Sequence, residues 1–169
     1  MGVPKEARTG QRNHLDTKIL WALLDEDENR DLRKKATGLF SRKNHPSFVI
    51  SLPVVGEFFS MFAERNMAQC EKVANAGREF AKYLRRSALE IYITGDRDTK
   101  VFNIANELCQ EELDPVDCMI IACAIWDKRC TVLYMEDRRI IDNRYISDKI
   151  KDICIKMDRN ILHIKDLGD

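Results

Sequence analysis

Two hydrophobic periods alternate along this chain. Short apolar runs of strand length fall near residue 14 and at 48–50, 89–93, 130–134 and 161–164; runs this short that are apolar throughout suit strands buried on both faces. Between them the spacing turns helical. Ile19, Leu20, Leu23 and Leu24 follow Asp16 and Thr17, Leu32, Ala36, Leu39 and Phe40 make a second stripe, and Val101, Ile104, Ala105 and Leu108 a third. The segment VVGEFFSMF behind Pro53 is apolar nearly all round, a long charged amphipathic helix is expected over 68–87, and Ser147 is placed to cap a last helix with stripe Ile150, Ile153, Cys154 and Met157. Charged residues 25–31 and the stretch 95–98 read as turns. Strands alternating with helices predict an α/β fold with a mostly parallel central sheet of about five strands, covered on both faces.

The stretch 113–140 organises the rest. Asp114 and Pro115 supply an N-cap and a first helical residue with fixed φ, and an apolar run from Met119 to Trp126 follows. Lys128 and Arg129 sit where positive charge suits the helix C-terminus, before a strand that ends at Glu136 and Asp137. Asp117 thus lies in a first helical turn and Asp137 just past a strand, the edge at which open α/β sheets build their sites.

Composition narrows the class. A chain of 169 residues, 44% hydrophobic and 33% charged, has material for one domain with a sizeable core. Residues 1–12 are polar and aperiodic and read as a mobile arm, leaving 13–169 as a single domain. Neither a secretory leader nor a membrane span is visible, so a soluble cytoplasmic protein is expected. The six cysteines form no CxxC pair and read as reduced core residues. The histidines lack metal-site spacing, which argues against zinc or Cys–His chemistry. A formal net charge of zero leaves nucleic-acid binding to local basic patches.

Four acids stand out: Asp16 at a strand-to-helix junction, Glu57 inside an apolar helix, Asp117 and Asp137. Two carboxylates ~4 Å apart repel by about 4 kcal/mol at an effective dielectric near 20, so a cluster of four requires protons or a cation. Oxygen donors unaccompanied by His or Cys favour Mg²⁺ or Mn²⁺, which activates water and neutralises phosphodiesters; the chemistry implied is phosphodiester hydrolysis. Each acid also has a structural reading: Asp16 as a cap, Asp117 as a favourable charge at the helix dipole, Asp137 as a turn residue. Glu57 resists one, since a buried glutamate without a partner is rare. Asp114 is fully explained as a cap before proline.

The motifs HLDTKIL, VVGEFF, PVDCMIIACAI and TVLYMEDRRI resemble those of the PIN-domain nucleases over about residues 13–164. That resemblance implies a three-layer α/β/α sandwich and Mg²⁺- or Mn²⁺-dependent cleavage of single-stranded RNA, with Asp16, Glu57, Asp117 and Asp137 as catalytic metal ligands. It also implies a toxin of a toxin–antitoxin pair or an RNA-processing enzyme, with a small antitoxin or processing partner and a homodimer as candidate assemblies. Two positions depart from the family pattern: Lys18 replaces a frequent Ser or Asn, and Met135 a frequent Thr or Ser, removing a hydroxyl that would hydrogen-bond the acids. Glu136 and Asp142 are candidate auxiliary acids. Lys18, Arg138 and Arg139 are candidate RNA contacts, with Lys34, Lys35, Arg42 and Lys43 extending the path or serving as solvated helix faces. The main rival is a catalytically inactive module of the same fold that binds RNA or protein. A phosphatase or phospho-receiver ranks lower, because Asp16 lacks the DxD pattern of the first and Arg12 to Leu15 lacks the paired acids of the second.

Overall fold

A computed structural model describes residues 10–25, 27, 29–41, 47–86, 88–94 and 99–168. The expected arm up to residue 9, the turn at 95–98, and Arg42 and Lys43 lie outside the described residues.

Five strands form one sheet: β1 (Arg12–Leu15), β2 (Ser47–Ser51), β3 (Leu89–Tyr92), β4 (Cys130–Tyr134) and β5 (His163–Lys165), in the order β3-β2-β1-β4-β5 with every pairing parallel. The first strand ends at Leu15, as expected, and takes in Arg12, the last residue of the expected arm, which pairs with Ser47 and Cys130. Among the described residues eight helices surround the sheet: α1 (Thr17–Leu24), α2 (Arg30–Ser41), α3 (Leu52–Arg65), α4 (Cys70–Arg85), α5 (Thr99–Cys109), α6 (Pro115–Trp126), α7 (Arg138–Ile141) and α8 (Arg144–Lys156). The result is the three-layer α/β/α sandwich. None of these helices is long and apolar enough to cross a membrane.

The strand order explains where a site can form. From the central β1 the chain winds outward through β2 and β3, then returns to the other side of β1 as β4 and β5. The winding reverses beside β1, and the helices leaving the strand ends part there to open a crevice.

α6 is apolar all round because it is enclosed, touching β2, β4, α3 and α5. Cys118 and every residue from Ile120 to Ile125 are buried. Its start is as expected: the Asp114 side chain accepts from the Val116 amide at 2.8 Å. Its end is not. Instead of Lys128 or Arg129, Arg159 beyond α8 donates to the carbonyls of Ala124 (3.0 Å), Ile125, Asp127 (3.2 Å) and Cys130. The cap of α8 also differs from expectation, since Asn143 accepts from Tyr145 and Ile146 while Ser147 lies inside the helix. Starting at Arg144 brings Ile146 onto the buried stripe with Ile150, Ile153 and Cys154. None of the six cysteines is in a disulfide; four are buried, Cys109 is half-buried and Cys70 is exposed.

α1 and α3 are joined by aromatic packing. Trp21 lies 5.5 Å, centroid to centroid, from both Phe58 and Phe62, which stack on each other at 5.1 Å. Such pairs contribute about 0.5–1.5 kcal/mol each beyond area burial, and this cluster fixes how Thr17, one turn before Trp21, faces Glu57, beside Phe58.

Candidate active site

A cleft of about 940 Å³ opens at the carboxyl ends of the central strands, and Asp16, Glu57, Asp117 and Asp137 all line it. They arrive from four elements: the end of β1, the second turn of α3, the first turn of α6 and the loop after β4. Asp114 and the side chains of Lys18 and Arg139 share the same walls.

Asp16 has extended backbone at the head of α1, as a cap should, yet its side chain accepts no capping hydrogen bond. Only 5% of the residue is exposed. Burial, foremost, and the negative charge of Asp117 and Glu57 push its carboxyl up to about 7, with partial relief from the Thr17 amide. A buried carboxylate not spent on its own helix is costly, and such groups concentrate at functional sites.

Asp117 is half-buried and likewise raised, to about 6, first by desolvation and then by Asp114, Glu57 and Asp137. Glu57 is compensated by the hydroxyl of Thr17, which donates to Oε2. Thr17 is the residue that reading the sequence left without a role. Its only signal was a hydroxyl directly after the strand-terminal acid, and its partner lies forty residues away. Asp137 behaves oppositely to Asp16: Arg139 grips it and its carboxyl is held below the usual range, chiefly by those side-chain bonds. It also caps the short α7, accepting from the Arg139 amide at 2.9 Å.

The remaining candidates divide. Lys18 is exposed on the cleft wall, where its charge bears on Asp16 and Asp137. Arg138 is turned away to Asp166, with Asp142 at 3.8 Å. Glu136 accepts from the Leu167 amide at 3.3 Å and is absent from the cleft lining. Lys34 and Lys35 are exposed on α2. Met135, where a hydroxyl was expected, is a fully buried core residue.

The donors suit a hard divalent ion: carboxylate oxygens only, with the pKa of two of the carboxyls raised chiefly by burial and further by the neighbouring negative charge. Among the described residues, however, no three acidic, histidine or cysteine side chains already stand as a closed ligand cage. Repulsion among unneutralised carboxylates and the hold of Arg139 on Asp137 both act against such closure.

A doubly wound parallel sheet with acids collected at its switch point defines the class, an α/β fold whose site lies at the carboxyl edge. The chain belongs to the PIN-domain family, whose model matches residues 14–144. Among solved structures it is similar to VapBC2 from Rickettsia felis bound to a DNA fragment from its promoter, with TM-score 0.56 and 18% identity over 92% of this chain and 98% of the other. It is also similar to the Sarcin–Ricin loop cleaving toxin VapC20 of Mycobacterium tuberculosis, with TM-score 0.54 and 19% identity over 75% and 90% of the two chains. No curated protein sequence matches it.

Proposed function

We propose that this chain is a divalent-metal-dependent endoribonuclease that hydrolyses phosphodiester bonds of single-stranded RNA. One observation carries the reading: the buried carboxylate of Asp16, unspent on its helix, faces a cleft shared with Glu57, Asp117 and Asp137. Asp16, Glu57, Asp117 and Asp137 would hold Mg²⁺ or Mn²⁺, which when bound supplies an activated water and neutralises charge on the phosphodiester. Thr17 keeps Glu57 aimed into the cleft, and Asp117 and Asp16 would have to be ionised to hold the cation. Lys18, exposed at the wall, is suited to a backbone phosphate of the strand, as is Arg139 once released from Asp137.

Membership of the PIN-domain family supports the reaction class, and the likeness to VapBC2 and to the toxin VapC20 supports a toxin role; a small antitoxin partner that restrains the enzyme and a cytoplasmic location belong to the same proposal. Residues 13–169 would act as one catalytic domain. The rival reading, an inactive module that binds RNA or protein, draws support from the Arg139 hold on Asp137. Incubation with labelled single-stranded RNA and Mn²⁺ separates the two. The nuclease reading expects cleavage that chelator and Asp117→Asn both abolish; RNA retention without cleavage, indifferent to both, favours the module.

A further inference from the structure

Beside the acid cleft lies a second hollow of about 460 Å³, framed by α1, α2 and α3. The two share Lys18, Trp21 and Met61 and so form one continuous depression, the outer part adding Leu32, Glu64 and Arg65. We propose that this outer hollow seats a nucleotide of the single strand flanking the bond cut at the acids, with Arg65 as the platform for its base. The inference rests on the acid cleft being where the phosphodiester is cleaved.

The chemistry favours a polynucleotide strand. Four carboxylates repel a phosphate chain, and a net charge of zero supplies no general attraction. The strand therefore needs local cations where it leaves the acids, and the continuation of the cleft provides Lys18 and Arg65 against the single acid Glu64.

The flat surface on offer is the guanidinium of Arg65. It lies over the Trp21 ring with its carbon 5.5 Å from the centroid. Trp21 cannot turn to meet a ligand, because its indole N–H is bonded to Asp25 at 3.1 Å and its ring is wedged against Phe58 and Phe62. At 8% exposure it cannot stack a base itself. It instead anchors the guanidinium through this cation–π contact, and unpaired bases stack on such planar groups. Exposed Met61 and half-buried Leu32 supply apolar sides for a base edge or sugar. A hollow of this volume takes a group of small-ligand size, such as a single nucleotide.

The test is equilibrium binding of a labelled single-stranded oligoribonucleotide to the full chain in chelator, across a range of salt, with Arg65→Gln and Arg65→Lys beside the wild type. Arg65 is exposed, so both variants are expected to fold. Arg65→Gln should weaken binding about five- to tenfold and reduce the magnitude of the salt slope by about 0.7. Arg65→Lys should restore the slope, because charge returns, and only part of the affinity, because the plane does not. The preference for a longer strand over a dinucleotide in Mn²⁺-supported cleavage should shrink by a similar factor in Arg65→Gln. Wild-type affinity and slope in Arg65→Gln would overturn the proposal and leave the hollow to an apolar peptide partner. Equal restoration by lysine would reduce Arg65 to a point charge and overturn its role as a platform. Binding in chelator is independent of turnover: a wild type that binds as described but never cuts defeats the reading of the acids, whereas one that cuts while Arg65→Gln binds normally defeats the groove alone.

Discussion

The guanidinium of Arg139 lies across the carboxylate of Asp137, with Nε 3.1 and 3.2 Å from the two oxygens and Nη2 2.6 Å from Oδ2. Both oxygens that would meet a cation are thus already facing one. Arg139 is 87% exposed, so water and salt weaken the pair, and its removal should have a modest effect of definite sign. In Arg139→Gln the affinity for Mn²⁺, read by the paramagnetic signal of the free ion, should rise about two- to fivefold. RNA affinity should fall. Weaker metal binding in the variant would mean that Arg139 orients Asp137 for the ion instead of competing with it.

Asp16, held near 7, and Asp117, near 6, are partly protonated where most carboxylates are fully ionised. A divalent ion must displace those protons, so Mn²⁺ affinity should climb between about pH 5 and 8, with proton release measurable by calorimetry in buffers of different ionisation enthalpy. The sign for folding is the reverse. A carboxyl raised from 3.8 binds its proton more tightly when folded, so without metal its contribution to stability grows as pH falls. Buried His14, lowered from 6.5, opposes this below that value, because the folded state resists its protonation. The clear window is therefore above 6.5, where metal-free protein should gain stability on acidification toward 6.5. Asp16→Asn should flatten that slope; an unchanged slope would place the responsible group elsewhere.

At the opposite end of β1, Asp127 accepts from the Arg129 amide at 3.1 Å and lies 3.2 Å from His14 and 3.3 Å from Arg12. Although burial opposes it, the His14 contact, the amide bond and nearby positive charge hold the carboxyl down at about 2, from 3.8. Its contribution is present above pH 3.8 and is lost as pH falls toward 2. Asp127→Asn should cost about 2 kcal/mol at neutral pH and remove most of that acid loss, as chemical denaturation at several pH values would show. A cost that persists unchanged at pH 2 would mean that packing, not charge, is responsible.

These cases also mark how far the sequence could be read. The acids and the alternation of strands and helices are local signals: Asp114-Pro115 announces α6, and the apolar runs announce the strands. Even the cap of α8 was within reach, because Ile146 on the buried stripe requires the helix to begin before Ser147. Pairings across the chain were not. Thr17 and Glu57 are joined only when Trp21 locks α1 to α3, and the turn of Arg139 onto Asp137, with Arg138 sent to Asp166, is a side-chain choice between neighbours of equal charge. Spacing carries no record of such choices.

Thr17→Val keeps the shape of the side chain and removes the hydroxyl that Glu57 accepts from. The fold should lose about 1 kcal/mol, typical of one hydrogen bond. Mn²⁺ affinity should fall about tenfold or more, since the partners that orient metal-binding carboxylates usually matter on that scale. Thr17→Ser should recover much of the affinity. If valine lowered stability and left affinity untouched, Glu57 would not need its partner to face the cleft.

Arg159 makes the converse prediction, stability without function. Its guanidinium collects carbonyls from the last turn of α6, from Asp127 and from the first residue of β4, while Nε donates to Asn160 at 2.8 Å. Helix C-termini leave carbonyls unsatisfied, and α6 is enclosed enough that water is a poor substitute. Arg159→Ala should therefore cost about 2–3 kcal/mol, the range for hydrogen bonds to a charged donor, read as a lower denaturation midpoint at unchanged slope. Lysine should rescue little, because one ammonium cannot span a set of acceptors arranged for a planar fork. Asp117 lies in the first turn of the same helix, so Mn²⁺ affinity of the folded protein should stay within about twofold of the wild type if α6 remains one rigid rod. A large loss of affinity in Arg159→Ala would show instead that the end of α6 sets the position of its first turn, and that the two ends are mechanically coupled.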